Sequence, residues 1–221
     1  MKVNVNSVNT DRNMVNVIDK VDYEHYFVDN PKATHKKRLL IAHVRGRDTY
    51  YYTDSSIFSS THLDRGTELL INSIYLNGTE SVLDVGCGAG IIGIALSYEL
   101  INGHVIMTDV NKRAIKISKE NIKNLELKNI EVMESNIFEN LKDKKFNIIV
   151  TNPPYRAGRK IVLNIIDNSP EHLEEHGCFY MVGKRSEGII YYQKYIKEKY
   201  KNINVIARKG GYRVIMFQLF D

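Results

Sequence analysis

The sequence predicts an α/β fold: a doubly wound sheet of seven mostly parallel strands, closed by an antiparallel terminal strand, with helices on both faces and a short β-hairpin in front. Three observations predict it. From Ser81 onward, apolar strand-like runs alternate with helix-like stretches, and that alternation builds parallel sheets. The first run ends in a glycine-rich loop, Asp84-Val-Gly86-Cys-Gly88-Ala-Gly90. The last two runs are separated only by Arg208-Lys-Gly-Gly211, whose glycines suit a tight reversal.

In chain order, residues 1–36 carry many Asn and no clear period, which reads as a partly disordered extension. Residues 37–221 form the folded domain. Arg38–Val44 and Asp48–Thr53 read as two strands joined by Arg45-Gly46-Arg47, an accessory hairpin at 37–53. The core, 81–221, then runs as strand Ser81–Val85, helix Gly90–Leu100, strand His104–Asp109, helix Asn111–Asn124 and strands Ile130–Met133 and Phe146–Val150. Helix Arg159–His172, strand Cys178–Val182, helix Glu187–Tyr200 and strands Ile203–Ala207 and Tyr212–Phe217 complete it.

A chain of 221 residues with 43% hydrophobic content has enough apolar surface for one sizeable core. No apolar stretch approaches the roughly 20 residues that span a bilayer. The N-terminus lacks the apolar segment of a secretory signal, so a cytoplasmic protein is expected. Cys87 and Cys178 have no metal-ligand spacing, and no metal site is expected. A net charge of +5 and a pI near 9.0 suit a polyanionic partner such as RNA, and equally an ordinary solvated surface. The basic residues cluster at Lys32, Lys36, Lys37, Arg38, Arg45 and Arg47, and again at Arg156, Arg159 and Lys160.

The glycine loop reads as a cradle for a nucleoside cofactor, because glycine admits unusual dihedrals and lets a ligand approach without a Cβ in the way. Gly88, Gly90 and Gly93 also satisfy the dinucleotide fingerprint, with Asp109 at the ribose position. The acid at Asp84 favours a cofactor without a diphosphate, since like charges repel. Asp109 is expected on the ribose hydroxyls, with helix capping as the plainer alternative. Asn136 sits where an adenine-reading side chain belongs, or else it is a turn former. Asp64-Arg-Gly66-Thr67 either closes over the methionine end of a cofactor or caps a helix through Thr67.

Thr151-Asn152-Pro153-Pro154-Tyr155 lies at the carboxyl end of a strand, where open α/β sheets bind ligands. The prolines stiffen it. An exocyclic amino group is a weak nucleophile, because its lone pair is delocalised. If the Asn152 side-chain carbonyl and the Pro153 backbone carbonyl each accept one N–H, the lone pair turns towards an electrophilic methyl group, and positioning supplies the rate. Tyr155 is expected to stack on a planar target. A plain β-turn is the alternative.

At these residues the chain resembles the Rossmann-like class I methyltransferases, in the small-domain group that includes the ribosomal RNA small-subunit guanine-N2 methyltransferase C family. The resemblance runs through His25-Tyr-Phe, Asp54-Ser-Ser-Ile-Phe58, Asp64–Thr67, Asp84–Gly93, Asp109–Ala114, Asn152–Gly158 and Gly210–Val214. It implies S-adenosylmethionine as cofactor, held by Asp84, Gly86, Gly88, Gly90, Asp109, Asn136 and Asn152. Thr67, Cys87, Val110 and Ile137 join that expected set. Asn136 stands where Asp is more usual. Residues 152–155 would hold the target amine, and Arg156, Arg159, Lys160 and Arg213 would meet RNA, most naturally ribosomal RNA or a small-subunit particle. Glutamine methylation of a protein, adenine-N6 methylation, a non-catalytic RNA-binding module and a dehydrogenase are the competing readings.

Overall fold

The computed structural model describes residues 36–55, 57 and 61–219. The extension before Lys36, His25-Tyr-Phe and Phe58 lie outside the described residues. The accessory hairpin is β1 (Lys37–Val44) and β2 (Arg47–Asp54). Its turn is one residue shorter than the sequence suggests, because Val44 pairs directly with Arg47. Arg45 and Gly46 both take positive φ, 52° and 70°, as a two-residue primed turn requires.

The main sheet holds β3 (Ser81–Val85), β4 (His104–Asp109), β5 (Ile130–Glu134), β6 (Phe146–Thr151), β7 (Leu173–Lys184), β8 (Ile203–Lys209) and β9 (Tyr212–Gln218). Their spatial order is β5-β4-β3-β6-β7-β9-β8. Only β9 runs against the rest: it pairs antiparallel with β7 on one side and β8 on the other. The chain-terminal strand is thus antiparallel and slots inside the sheet, leaving β8 at the edge.

Strand residues alternate between two cores. Val82, Val105, Met107, Ile148 and Val150 face one cluster, while Leu83, Ile106, Ile149, Phe179 and Met181 face the other. That period of two buries both faces, so the strands read as apolar runs. On the first face lie α1 (Arg65–Ile71), α2 (Ile91–Ser97) and α3 (Lys112–Asn124). On the second lie α4 (Arg159–Asn168) and α5 (Ile189–Lys199). α4 stops four residues before His172, and Pro170 is the second residue of the 3-10 turn Ser169–His172 that follows, where proline brings no N–H to continue the ladder. α5 begins two residues after Glu187 because Gly188 intervenes at φ 87°.

The hairpin docks through polar groups. Asn121 of α3 both accepts from and donates to the Tyr52 backbone, and Arg113 pairs with the fully buried Asp54 at 2.7 Å. The Arg45 guanidinium reaches Glu99 and donates to the carbonyls of Ile71 and Ile74 at 2.8 and 2.7 Å. Lys37 pairs with Glu120, and Arg47 lies over the Tyr98 ring. Much of the basic cluster at 36–47 is therefore spent on attaching the hairpin. Because β3 to β7 are parallel, Val85, Asp109, Glu134, Thr151 and Lys184 gather at one edge with Tyr212, where β9 begins.

Candidate active site

The glycine loop occupies the β3 end of that edge. Gly86, Gly88 and Gly90 take φ of 73°, 56° and 86°, a region costly for any residue with a Cβ. A Cβ on Gly86 would meet nothing within 4 Å, so space opens beside it. The loop's amides are largely consumed by the protein itself. Gly86 and Cys87 donate to the Thr108 carbonyl at 2.8 and 2.9 Å, and Gly90 donates to Cys87 at 2.9 Å. Gly88 donates to Asp109 Oδ2 at 2.9 Å and Gly93 to Asp84 Oδ2 at 3.1 Å. A diphosphate needs such amides free, so the loop fits a nucleoside cofactor without phosphates.

Asp84 is wholly buried, and its Oδ1 has no partner among the described residues. Burial, reinforced by the neighbouring Asp109, pushes its carboxyl up to about 7. An orphaned buried acceptor of this kind calls for a donor from outside the chain. The ammonium of a methionine moiety would satisfy it. Asp109 is almost as buried and accepts from Asn111 N at 2.8 Å as well as from Gly88. Burial raises its carboxyl above the usual range. It does not cap α3; Asn111 does, through Arg113 and Ala114 N–H groups. The backbone N–H of Val110 also faces the Asp109 carboxylate, and the remainder of its roughly four lone-pair sites stays open for hydroxyls.

Val110, next along, is 41% exposed, an apolar surface at a strand end. Asn136 is exposed; it donates to Glu139 Oε1 at 2.7 Å and its own carbonyl accepts from Glu139 N, so it serves a turn while its side-chain oxygen remains unbonded among the described residues. Ile137 takes φ 55°, an outlier for a β-branched residue that no sequence pattern announces. Cys87 turns into the core, 3.9 Å from Ser118 Oγ, and burial pushes its thiol well up. Its backbone, not its sulfur, belongs to the loop.

Asn152 follows Thr151, whose hydroxyl donates to Val85 O at 2.8 Å and ties the two strand ends together. Asn152 Nδ2 donates to Thr67 Oγ1 at 2.8 Å and to Asp64 Oδ2 at 3.3 Å. A carboxylate only accepts, so the amide orientation is set by its partners, and Asn152 Oδ1 accepts nothing among the described residues. Asp64 is the N-cap of α1, receiving Thr67 N at 2.8 Å; capping therefore falls to Asp64 rather than Thr67. Tyr212 Oη donates to Asp64 Oδ1 at 3.0 Å. Asp64, in the segment expected to close over a cofactor or to cap a helix, thus stands beside Asn152, and Tyr212, to which the sequence assigned no role, joins it there.

Pro154 sits at φ −75°, ψ 79°, an inverse γ-turn. Tyr155 N accordingly donates to Pro153 O at 2.9 Å, so that carbonyl keeps one lone pair rather than two. Tyr155 Oη donates to Val182 O at 2.6 Å, and burial drives its phenol well up. What Tyr155 can offer a ligand is its ring, which leans on Tyr192 with centroids 5.7 Å apart. Arg159 and Lys160 are exposed at the start of α4. Arg213 is half-buried and bonded to Gln193 at 2.6 Å, so it is held by the scaffold.

A glycine loop with its amides turned inward, beside a proline-stiffened strand end that offers an open amide oxygen, defines a class I S-adenosylmethionine-dependent methyltransferase. More narrowly, the chain belongs to the methyltransferase small domain family, whose model matches residues 48–216. It is 34% identical to the uncharacterized protein YbxB of Bacillus subtilis over 87% of this chain and 96% of that protein. It is 29% identical to the ribosomal RNA small subunit methyltransferase C of Haemophilus influenzae over 74% of this chain and 49% of that enzyme. The chain therefore spans about half the length of the curated methyltransferases it matches. Among solved structures, the T. thermophilus 16S rRNA N2 methyltransferase in complex with AdoMet and guanosine superposes with a TM-score of 0.73, covering 82% of this chain and 50% of that one at 21% identity. No helix among the described residues is long and apolar enough to cross a membrane.

Proposed function

We propose that this protein transfers the methyl group of S-adenosylmethionine to an exocyclic amino nitrogen, and that the acceptor is guanine N2 of ribosomal RNA. The observation that carries the reading is the arrested Asn152 amide: both N–H groups point at Asp64 and Thr67, so its oxygen is the acceptor offered to a ligand. That oxygen and the remaining lone pair of Pro153 O together accept the two protons of an amino group and turn its lone pair out of conjugation. The cofactor supplies the electrophilic methyl on a sulfonium. No strong base is required of the chain: as nitrogen would take the methyl, the C–S bond would break, the neutral thioether would leave, and the positive charge passed to nitrogen would make it acidic enough to lose a proton to water or to a carbonyl.

In this reading Asp84 takes the cofactor ammonium, Asp109 the ribose hydroxyls, Val110 and Ile137 the faces of the adenine, and Asn136 its amino group. The loop from Gly86 to Gly90 lets the cofactor approach. The guanine assignment draws on the similarity to the small-subunit methyltransferases, and the basic residues beside Tyr155 favour RNA over a protein acceptor. The test is methyl transfer from labelled cofactor to RNA or small subunits taken from a strain lacking the gene, followed by mass spectrometry of the nucleosides. N2-methylguanosine is expected. A labelled adenosine or glutamine overturns the choice of acceptor, and absence of transfer together with absence of cofactor binding overturns the enzyme.

A further inference from the structure

On the α4 and α5 side of Asn152, two helices begin at the same sheet edge and bring an arginine onto a tyrosine. The Arg159 guanidinium of α4 lies 4.7 Å from the ring centroid of Tyr191 on α5. Tyr191 is 43% exposed and packs edge-on against Tyr192, which in turn meets Tyr155. An unbroken aromatic contact thus runs from the proposed amine site to an exposed cation and ring. Lys184 ends β7 at this edge and Arg185 opens the 3-10 turn after it, while Arg208 and Lys209 end β8; all four are exposed. Strand pairing brings them together: Lys184 faces Tyr212, Tyr212 faces Lys209, and Arg185 N donates to Gly211 O. The acid among them, Glu187, is turned back onto the Lys184 backbone N–H at 2.8 Å.

We infer that this rim is the track for a single RNA strand, in which the Arg159–Tyr191 pair stacks the nucleotide beside the target and Lys184, Arg185, Arg208 and Lys209 meet its phosphates. The inference rests on the RNA reading of the active site and extends it. Planar guanidinium and tyrosine surfaces stack unpaired bases whatever their identity, whereas a paired base keeps its faces inside the helix. A guanine amino group is also reachable at Asn152 only when the base is swung out of its stack. Four cations against the one carboxylate of Glu187 leave the rim net positive, which complements a polyanion and would repel a basic protein tail.

The experiment is anisotropy titration of a labelled single-stranded oligoribonucleotide, about 12 nucleotides long to match typical single-strand site sizes, and of the same strand in duplex form. Wild type should prefer the single strand. Tyr191→Ala should weaken it about tenfold, a stacked base being worth ~1–3 kcal/mol, and Tyr191→Phe should restore it. Lys184→Ala with Arg185→Ala should lower the salt slope by about 1.4, from ~0.7 per phosphate contact on single strands. Unchanged affinity in Tyr191→Ala, with circular dichroism matching wild type, overturns the platform while the RNA reading stands; should that variant misfold, Arg159→Ala replaces it under the same criterion. Equal binding of the duplex overturns the single-strand track. Failure of wild type to bind either RNA overturns the RNA reading itself.

Discussion

Thr67 Oγ1 lies 2.8 Å from Asn152 Nδ2, joining the first turn of α1 to the end of β6 across 85 residues of sequence. With Asp64 Oδ2, the contact fixes which end of the Asn152 amide is left open. Thr67 is nearly fully buried, so its hydroxyl is a fixed positioning group for Asn152. Thr67→Val removes the acceptor at constant shape and should leave KM for RNA within about twofold while lowering kcat roughly tenfold, ~1.4 kcal/mol. Thr67→Ser should recover most of the rate. Equal kcat in the valine variant would show that Asp64 alone orients the amide.

Asn152 itself should be the most sensitive position. Asn152→Ala leaves the half-buried strand end intact and should cut turnover at least tenfold, about 1.4 kcal/mol of transition-state stabilisation, with an unchanged melting profile. Asn152→Asp should be worse at neutral pH, since it sets a second carboxylate 3.3 Å or so from Asp64 Oδ2 and like charges at that distance repel. Single-turnover kinetics under saturating cofactor separates these effects from binding. Near wild-type rates in the alanine variant would remove Asn152 from the reaction.

Much of the candidate site is legible in the sequence because it rests on residues with few other uses in those places. Gly86, Gly88 and Gly90 stand where positive φ is needed, and Asn152-Pro-Pro-Tyr interrupts an apolar strand at its carboxyl end. The same holds for the sheet, whose β3 and β4 begin and end at the residues the apolar runs mark. Less legible are contacts between distant segments. Nothing local shows that Asp64 will accept from Tyr212, 148 positions later, or that Asn111 rather than Asp109 will cap α3. The insertion of β9 between β7 and β8 is a pairing choice, and the left-handed Ile137 is imposed by its surroundings; neither leaves a periodic trace.

Gly183 shows how closely the tetrapeptide is fitted to the sheet. A Cβ there would stand 2.2 Å from Tyr155 Oη, which donates to the preceding carbonyl of Val182. Gly183→Ala must displace the tyrosine, and overpacking of this kind costs about 1–3 kcal/mol. A lowered melting temperature together with slowed methyl transfer is expected. Tyr155→Phe, which keeps the ring and loses one hydrogen bond, should cost about 1 kcal/mol of stability and retain most activity. If it abolishes activity, the hydroxyl does more than anchor the ring.

On the proposed reading, in which Asp84 meets the cofactor ammonium, that residue would link cofactor binding to pH. Its carboxyl is raised from 3.8 to about 7 in the folded chain, first by burial and then by Asp109. A carboxyl shifted upward on folding is held protonated by the fold, so its stabilising contribution is complete below about 3.8 and is lost as pH rises through about 7. Without cofactor, the protein should therefore lose up to roughly 4 kcal/mol across that window, at 1.36 kcal/mol per unit. Asp84→Asn should flatten this dependence and stand more stable than wild type at pH 8. A cationic cofactor reverses the preference, because it binds the ionised form. Its affinity should rise with pH up to about 7, with protons released on binding below that point, and turn down at higher pH as the cofactor's own α-ammonium deprotonates, at about 8. Calorimetry in two buffers of different ionisation enthalpy measures the release. In Asp84→Asn both the release and most of the affinity should vanish; a pH-independent affinity in wild type would mean that the methionine ammonium does not meet this carboxylate.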